Sequence, residues 1–203
     1  ALRKYIVEIN GKKLTDLGLP TRVPNISTDS LKKGTTATYN HRKDPVVVKE
    51  NDIVTYSITI YNEGDIDGYA TKIIDQLPTN LMPSNENPNE IKSIGKDGKE
   101  KNTYEVVTGI VATAGVPENS IVFNIVNPAK SLKAYSEIDG LDYETLTFKC
   151  KVIQKADDKE NKILTNVAWI AGFKDSNGDT VIDRDSSIES SPNVNKDNME
   201  NYK

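Results

Sequence analysis

The chain has 203 residues, long enough for one large domain or two small ones with a sizeable core. Its 30 acids and 26 bases leave a net charge of −4, with no basic stripe to suggest nucleic acid and no apolar run near the roughly 20 residues that span a bilayer. A hydrophobic content of 36%, with 6% aromatic, is lean but sufficient for a folded core.

Leu2 to Ile9 alternates as a strand and runs into the turn pair Asn10-Gly11. Residues 12–36 are irregular, with Pro20, Pro24 and a short helical stretch expected around Thr28 to Lys33. Strands are expected at Ala37 to Arg42, Val46 to Lys49 and Ile53 to Asn62. The last is the clearest, with Val54, Tyr56, Ile58 and Ile60 on one face and Thr55, Ser57 and Thr59 on the other. Tyr69 to Asp75 follows the Glu63-Gly64 turn, and Leu77-Pro78 stops it.

Residues 79–102 read as loop-rich, with Pro83, Pro88, Gly95 and Gly98. Further strands are expected at Tyr104 to Thr108, Ile121 to Val126, Glu144 to Gln154 and Ile163 to Phe173. A hairpin connection at residues 174–179 leads to Thr180 to Arg184. This spacing, without amphipathic helices of normal length, predicts an all-β, antiparallel sandwich of immunoglobulin-like type carrying a long loop-rich insertion. Residues 1–186 are expected to form one domain and the polar tail, 187–203, a linker to a following module. The chain opens within a strand pattern and reads as part of a longer polypeptide.

Cys150 is the only cysteine, so no disulfide can form within the chain. It shares a face with Leu146, Phe148 and Val152 and reads as a small buried hydrophobe. The only histidine, His41, lies in a polar run, which argues against thiol–histidine catalysis. Trp169 falls on the face opposite Asn166 and reads as sheet packing rather than a sugar platform.

Three polar residues fall where the strand patterns call for core. Lys4 lies between Leu2 and Ile6, Asp75 beside Ile73, and Asn166 between Leu164 and Ala168. Each is costly to bury alone, by several kcal/mol in order of magnitude. The bland reading has Lys4 reaching solvent, Asp75 capping a turn and Asn166 bonding a neighbouring backbone.

The segments Asp52 to Gly64, Ile74 to Leu81 and Thr165 to Ala168 resemble, in that order, three motifs of the immunoglobulin-like repeat modules of Gram-positive surface proteins. The opening L-R-K-Y-I and the closing V-I-D-R-D-S are similar to the ends of such modules. The likeness covers most of the chain except about 82–143. In the collagen-adhesin and pilin group, a first-strand lysine joins a late-strand asparagine in an intramolecular isopeptide bond, assisted by an acid between them in sequence. The resemblance therefore implies Lys4 as nucleophile, Asn166 as electrophile and Asp75, just before the Leu77-Pro78 turn, as the acid.

The residues make chemical sense in those roles. Burial disfavours the ammonium form of a lysine and raises the pKa of an acid, and the two would titrate as a pair. A protonated Asp75 can polarise the Asn166 carbonyl and pass a proton to the departing ammonia. The event is a single self-modification, not turnover, and requires no cofactor. The tie would close a loop of about 160 residues, worth roughly 5 kcal/mol.

Asp175, Asn177 and Asp179, followed by Asp183 and Asp185, offer clustered oxygens of the kind calcium takes, although glycine and glutamate do not fall where an EF-hand loop needs them. The alternative is a hairpin turn with solvated acids, and the same holds for Asp65 and Asp67.

The expectation from these readings is an extracellular, cell-wall-anchored structural or adhesive module. Its partners would be adjacent modules of the same polypeptide, with no direct membrane contact. Two alternatives stand beside it. One is an adhesin head for a host matrix protein or glycan, with its surface in residues 82–143. The other is an accessory domain of a surface enzyme, without the bond.

Overall fold

Every residue of the strand Ile53–Asn62 after the first is buried, on both faces. Val54, Tyr56, Ile58 and Ile60 point into the main core. On the opposite face, Thr59 bonds Tyr5 at 3.0 Å and Thr145 at 2.9 Å, and Ser57 meets Thr147 at 3.3 Å. The alternation predicted from sequence is present, but its polar face is covered too.

The computed structural model describes residues 1–33, 36–113, 115–153, 163–181 and 199–202. In chain order its strands are β1 (Leu2–Ile9), β2 (Lys12–Lys13), β3 (Asn25–Ser27), β4 (Thr38–Asn40), β5 (Ile53–Asn62), β6 (Gly68–Gln76) and β7 (Leu81–Pro83). There follow β8 (Glu90–Gly95), β9 (Glu100–Val107), β10 (Ser120–Val126), β11 (Asp142–Val152), β12 (Leu164–Asp175) and β13 (Met199–Tyr202). Short 3-10 turns at Leu14–Leu17 and Leu31–Lys33 are the helical elements among the described residues.

The strands pair antiparallel along one path, β13-β12-β6-β10-β9-β8-β11-β5-β1-β2, with β7 added to β11 and β3–β4 as a separate pair. The path doubles back on itself, because β1 also packs against β12 and β13 near its far end. The result is an all-β sandwich, as the strand spacing predicts. β1, β5 and β11 form one layer and β6, β10 and β12 the other, and the β8–β9 hairpin turns the sheet between them. One core cluster fills the space, with Ile6, Tyr56, Ile58 and Phe148 from the first layer and Ile73, Phe123, Ala168 and Ile170 from the second. Burial of that apolar area is the main stabilising term.

Two satellite clusters cover the outer faces. Leu31, Ala37, Tyr39 and Tyr61 bury the outside of β5 beneath the N-terminal connection. Trp169 packs with Ile74, Val116 and Val122 on the outside of β6 and β12, which is the sheet-packing role expected of it. The predicted turn at Asn10-Gly11 is present, with both residues at positive φ (51° and 72°), as a tight primed hairpin requires.

The structure corrects several boundaries. Residues 79–102, expected to be loop-rich, contain β7, β8 and the start of β9. In β8 the inward positions are Ile91, Ser93 and Gly95, so two of three buried residues carry no apolar signal. Val46 to Lys49 is not a strand. Val46 is buried in the core and the half-buried Val48 packs against it, while Val47 is 73% exposed. At the other end of the chain, residues 199–202, expected within a linker, pair with β12 as β13. The strand predicted at Thr180 to Arg184 is described only to residue 181, where Thr180 bridges Lys174. The rest of it lies outside the described residues, as do 187–198.

Candidate functional site

β1, β6 and β12 each turn one of the three anomalous polar residues inward. On β1, alternation puts Leu2, Lys4 and Ile6 on the core side, while Arg3 faces outward and stacks over the Tyr39 ring at 3.8 Å. On β6 the run Ile73-Ile74-Asp75 sends Ile74 to the outer cluster and Ile73 and Asp75 inward. On β12, Asn166 shares the inward face with Ala168 and Ile170. Asp75 pairs directly with Ala168, so Asn166 is its diagonal neighbour on the same face, two residues along.

The three side chains are brought together, each fully buried. Lys4 Nζ donates to Asp75 Oδ1 at 2.5 Å. The Asn166 carboxamide lies beside Asp75, close enough to favour its charged form. Neither Asn166 polar atom, nor Asp75 Oδ2, has a well-aligned hydrogen-bond partner. Such an amide costs about 1–3 kcal/mol to leave unsatisfied, so its retention in the core calls for an explanation.

Burial raises the pKa of Asp75 above its ordinary value. The Lys4 charge, the Lys4 hydrogen bond and Asn166 act in the opposite direction without cancelling that effect. The walls are apolar: Lys4 Nζ lies 4.7 Å from the Tyr56 ring centroid and 5.6 Å from that of Phe148. Cys150, also fully buried, is close enough for Asp75 to add to the burial that pushes its thiol pKa far up. It is therefore a neutral thiol wall, as its place beside Leu146 and Phe148 predicts. The arrangement holds an amine, an amide and an acid in a site sealed from water.

Sequence reasoning missed a second buried carboxyl. Glu144 on β11 is fully buried and receives Ser93 Oγ at 2.5 Å, Asn102 Nδ2 at 2.9 Å and Tyr104 Oη at 2.8 Å. Burial first, and then Glu144, hold the Tyr104 phenol pKa well above its ordinary value. Asn102 also clasps Lys130 through its backbone N–H and C=O. These groups tie β8, β9, β11 and the loop after β10 where the sheet turns over. The signal was available, because Glu144 stands in phase with Leu146, Phe148 and Cys150.

The proposed calcium ligands sit at a turn. Asp175 Oδ1 accepts the backbone N–H of Asn177 and of Asp179, both at 2.9 Å, and Gly178 closes the loop at φ 87°. Asp183 and Asp185 lie outside the described residues. Among the described residues no group of three metal-ligating acids, histidines or cysteines forms. Asp67 instead pairs with Lys133 at 2.6 Å and accepts the Ala134 N–H.

No family model matches the chain, and no curated protein matches it. Among solved structures it is similar to the full-length RrgB pilus protein of Streptococcus pneumoniae, at 14% identity and a TM-score of 0.41, over 66% of this chain and 20% of that one. It is also similar to BcpA, the major pilin subunit of Bacillus cereus, at 14% identity and a TM-score of 0.35, over 89% of this chain and 37% of that one. The chain thus spans well under half the length of either protein.

Proposed function

We propose that this chain is a load-bearing structural module of an extracellular, cell-wall-anchored protein of a Gram-positive cell, closed on itself by an amide bond between Lys4 and Asn166. The observation that carries the reading is the contact of Lys4 Nζ with Asp75 at 2.5 Å, fully buried, beside an Asn166 amide with no well-aligned partner. The strand motifs that resemble Gram-positive surface modules supply the setting.

The reaction starts with proton transfer along the Lys4–Asp75 hydrogen bond, giving a neutral amine and a carboxylic acid. Low dielectric favours that neutral pair over two buried charges. Lys4 Nζ attacks Asn166 Cγ while Asp75 donates its hydrogen bond to Oδ1. The tetrahedral intermediate then collapses: the Cγ–Nδ2 bond breaks, Asp75 relays a proton from Nζ to Nδ2, and ammonia leaves. The Nζ–Cγ amide remains, with Asp75 as a neutral acid beside it. Atoms and charge balance without any co-reactant.

The event occurs once per chain, so the module is not an enzyme in the turnover sense. Its partners in this reading are neighbouring modules of the same polypeptide. The bond would join the first strand to a late one, and tension would pass through it rather than unzip hydrogen bonds. Intact mass of the purified protein tests this: the reading requires a mass one ammonia below that of the sequence, and an unshifted mass rejects it.

A further inference from the structure

Asn166 stands on a stretch of β12 that β6 does not hold. The β6–β12 ladder begins at Val167↔Gln76 and runs toward Asp175. Among the described residues, Leu164, Thr165 and Asn166 pair only with β13, in the register Leu164↔Tyr202, Thr165↔Asn201 and Asn166↔Glu200. β13 is the last strand on its edge of the sheet, and β1, which carries Lys4, packs against both β12 and β13. The backbone that presents the amide is thus held in strand geometry by residues 199–202.

We propose that the C-terminal strand Met199–Tyr202 is the positioning element of the cross-link. On this view its docking fixes Asn166 opposite Lys4 and closes the site to water, so that the bond forms only once this last segment has paired. The proposal rests on the cross-linking reading above. Without β13, Leu164 to Asn166 would be an unpaired edge exposed to solvent on that side. The Asn166 amide, without a well-aligned partner in the closed site, would gain water partners and turn away from Lys4. Displacement of the reacting atoms by about 1 Å is enough to cost on the order of 100-fold in rate.

The test follows ammonia loss by intact mass after cell-free synthesis in three proteins. These are the full chain, a chain ending at Asn198, and a full-length chain carrying both Glu200→Pro and Asn201→Pro. Adjacent prolines disrupt pairing whichever residue faces β12, since alternate residues point their N–H groups to opposite sides. Trp169 fluorescence reports whether the sandwich has formed, because Trp169 is buried on the outer side of the same strand. The expected result is native fluorescence in all three, with ammonia loss at least about tenfold slower in the two altered chains. Glu200→Thr, which keeps the strand, should react at the full rate. If the shorter chain does not fold, the proline variant carries the comparison. Equal rates in the full chain and in a folded altered chain overturn the positioning role and leave the cross-link standing. No loss in the full chain removes the cross-link and the positioning role together.

Discussion

Lys4 and Asp75, 71 positions apart in the chain, meet at 2.5 Å with both side chains fully buried. Two charges removed from water cost several kcal/mol each after relaxation, and their attraction only partly offsets this. An apolar pair would hold β1 to β6 at lower cost, and a surface pair would hold them at none. The placement makes sense if the pair is a reactant state whose cost is recovered when the neighbouring Asn166 amide is consumed.

Replacing Lys4, the proposed nucleophile, should remove the proposed bond. Lys4→Met, which keeps much of the side-chain volume, should restore the full sequence mass. It should also lower the unfolding free energy by about 5 kcal/mol, the value for opening a loop of about 160 residues. Denaturant titration measures the loss. A variant as stable as the parent would show that Lys4 staples nothing.

Asp75→Asn separates catalysis from assembly. Asparagine fits the same space and still accepts a bond from Lys4, but it cannot take the amine's proton or protonate the leaving group. Ammonia loss should slow by about 100-fold or more, in the range ascribed to general acid–base catalysis. A time course of intact mass reads the rate, and circular dichroism confirms that the strands are in place.

The pH dependence of the unlinked protein follows from Asp75. Its folded-state pKa is raised by burial, and Lys4→Met removes the ammonium that acts against that rise. The folded state therefore binds the proton more tightly than the unfolded chain does. Stability from protonated Asp75 is full below the unfolded value of 3.8 and is lost as pH rises through the folded one. The melting temperature of Lys4→Met should fall from acid toward neutral pH relative to that of Lys4→Met/Asp75→Asn. Parallel profiles would mean that Asp75 does not titrate above its ordinary range.

Glu144 should behave as structure and not as chemistry. Tyr104→Phe removes one hydrogen bond to a buried carboxyl and should cost about 1.5–3 kcal/mol. Glu144→Leu removes the shared acceptor of Ser93, Asn102 and Tyr104 and should cost more. Neither variant, once folded, should change the rate of ammonia loss, which intact mass will show.

The strands that fill the core were readable because period-two alternation survives in them, β5 and β11 above all. The site was readable for the same reason in reverse: Lys4, Asp75 and Asn166 break an apolar face at inward positions. β8 escaped because its inward Ser93 and Gly95 look like loop residues, and the buried Ser93 hydroxyl is satisfied by Glu144 and the Asn102 backbone. β13 escaped because four polar-flanked residues after a long connection carry no period; only the edge of β12 makes them a strand. The pairing that gathers Lys4, Asp75 and Asn166 is non-local, set by which strands neighbour which, and no spacing along the chain encodes it.

The most direct measurement is a tryptic digest read by tandem mass spectrometry. Trypsin cannot cut after a lysine whose amine has become an amide. The cross-link therefore predicts one branched product joining residues 4–12 to residues 163–174, lighter by one ammonia than the two peptides combined. Recovery of peptide 163–174 alone at its full mass, with cleavage after Lys4, would contradict the bond.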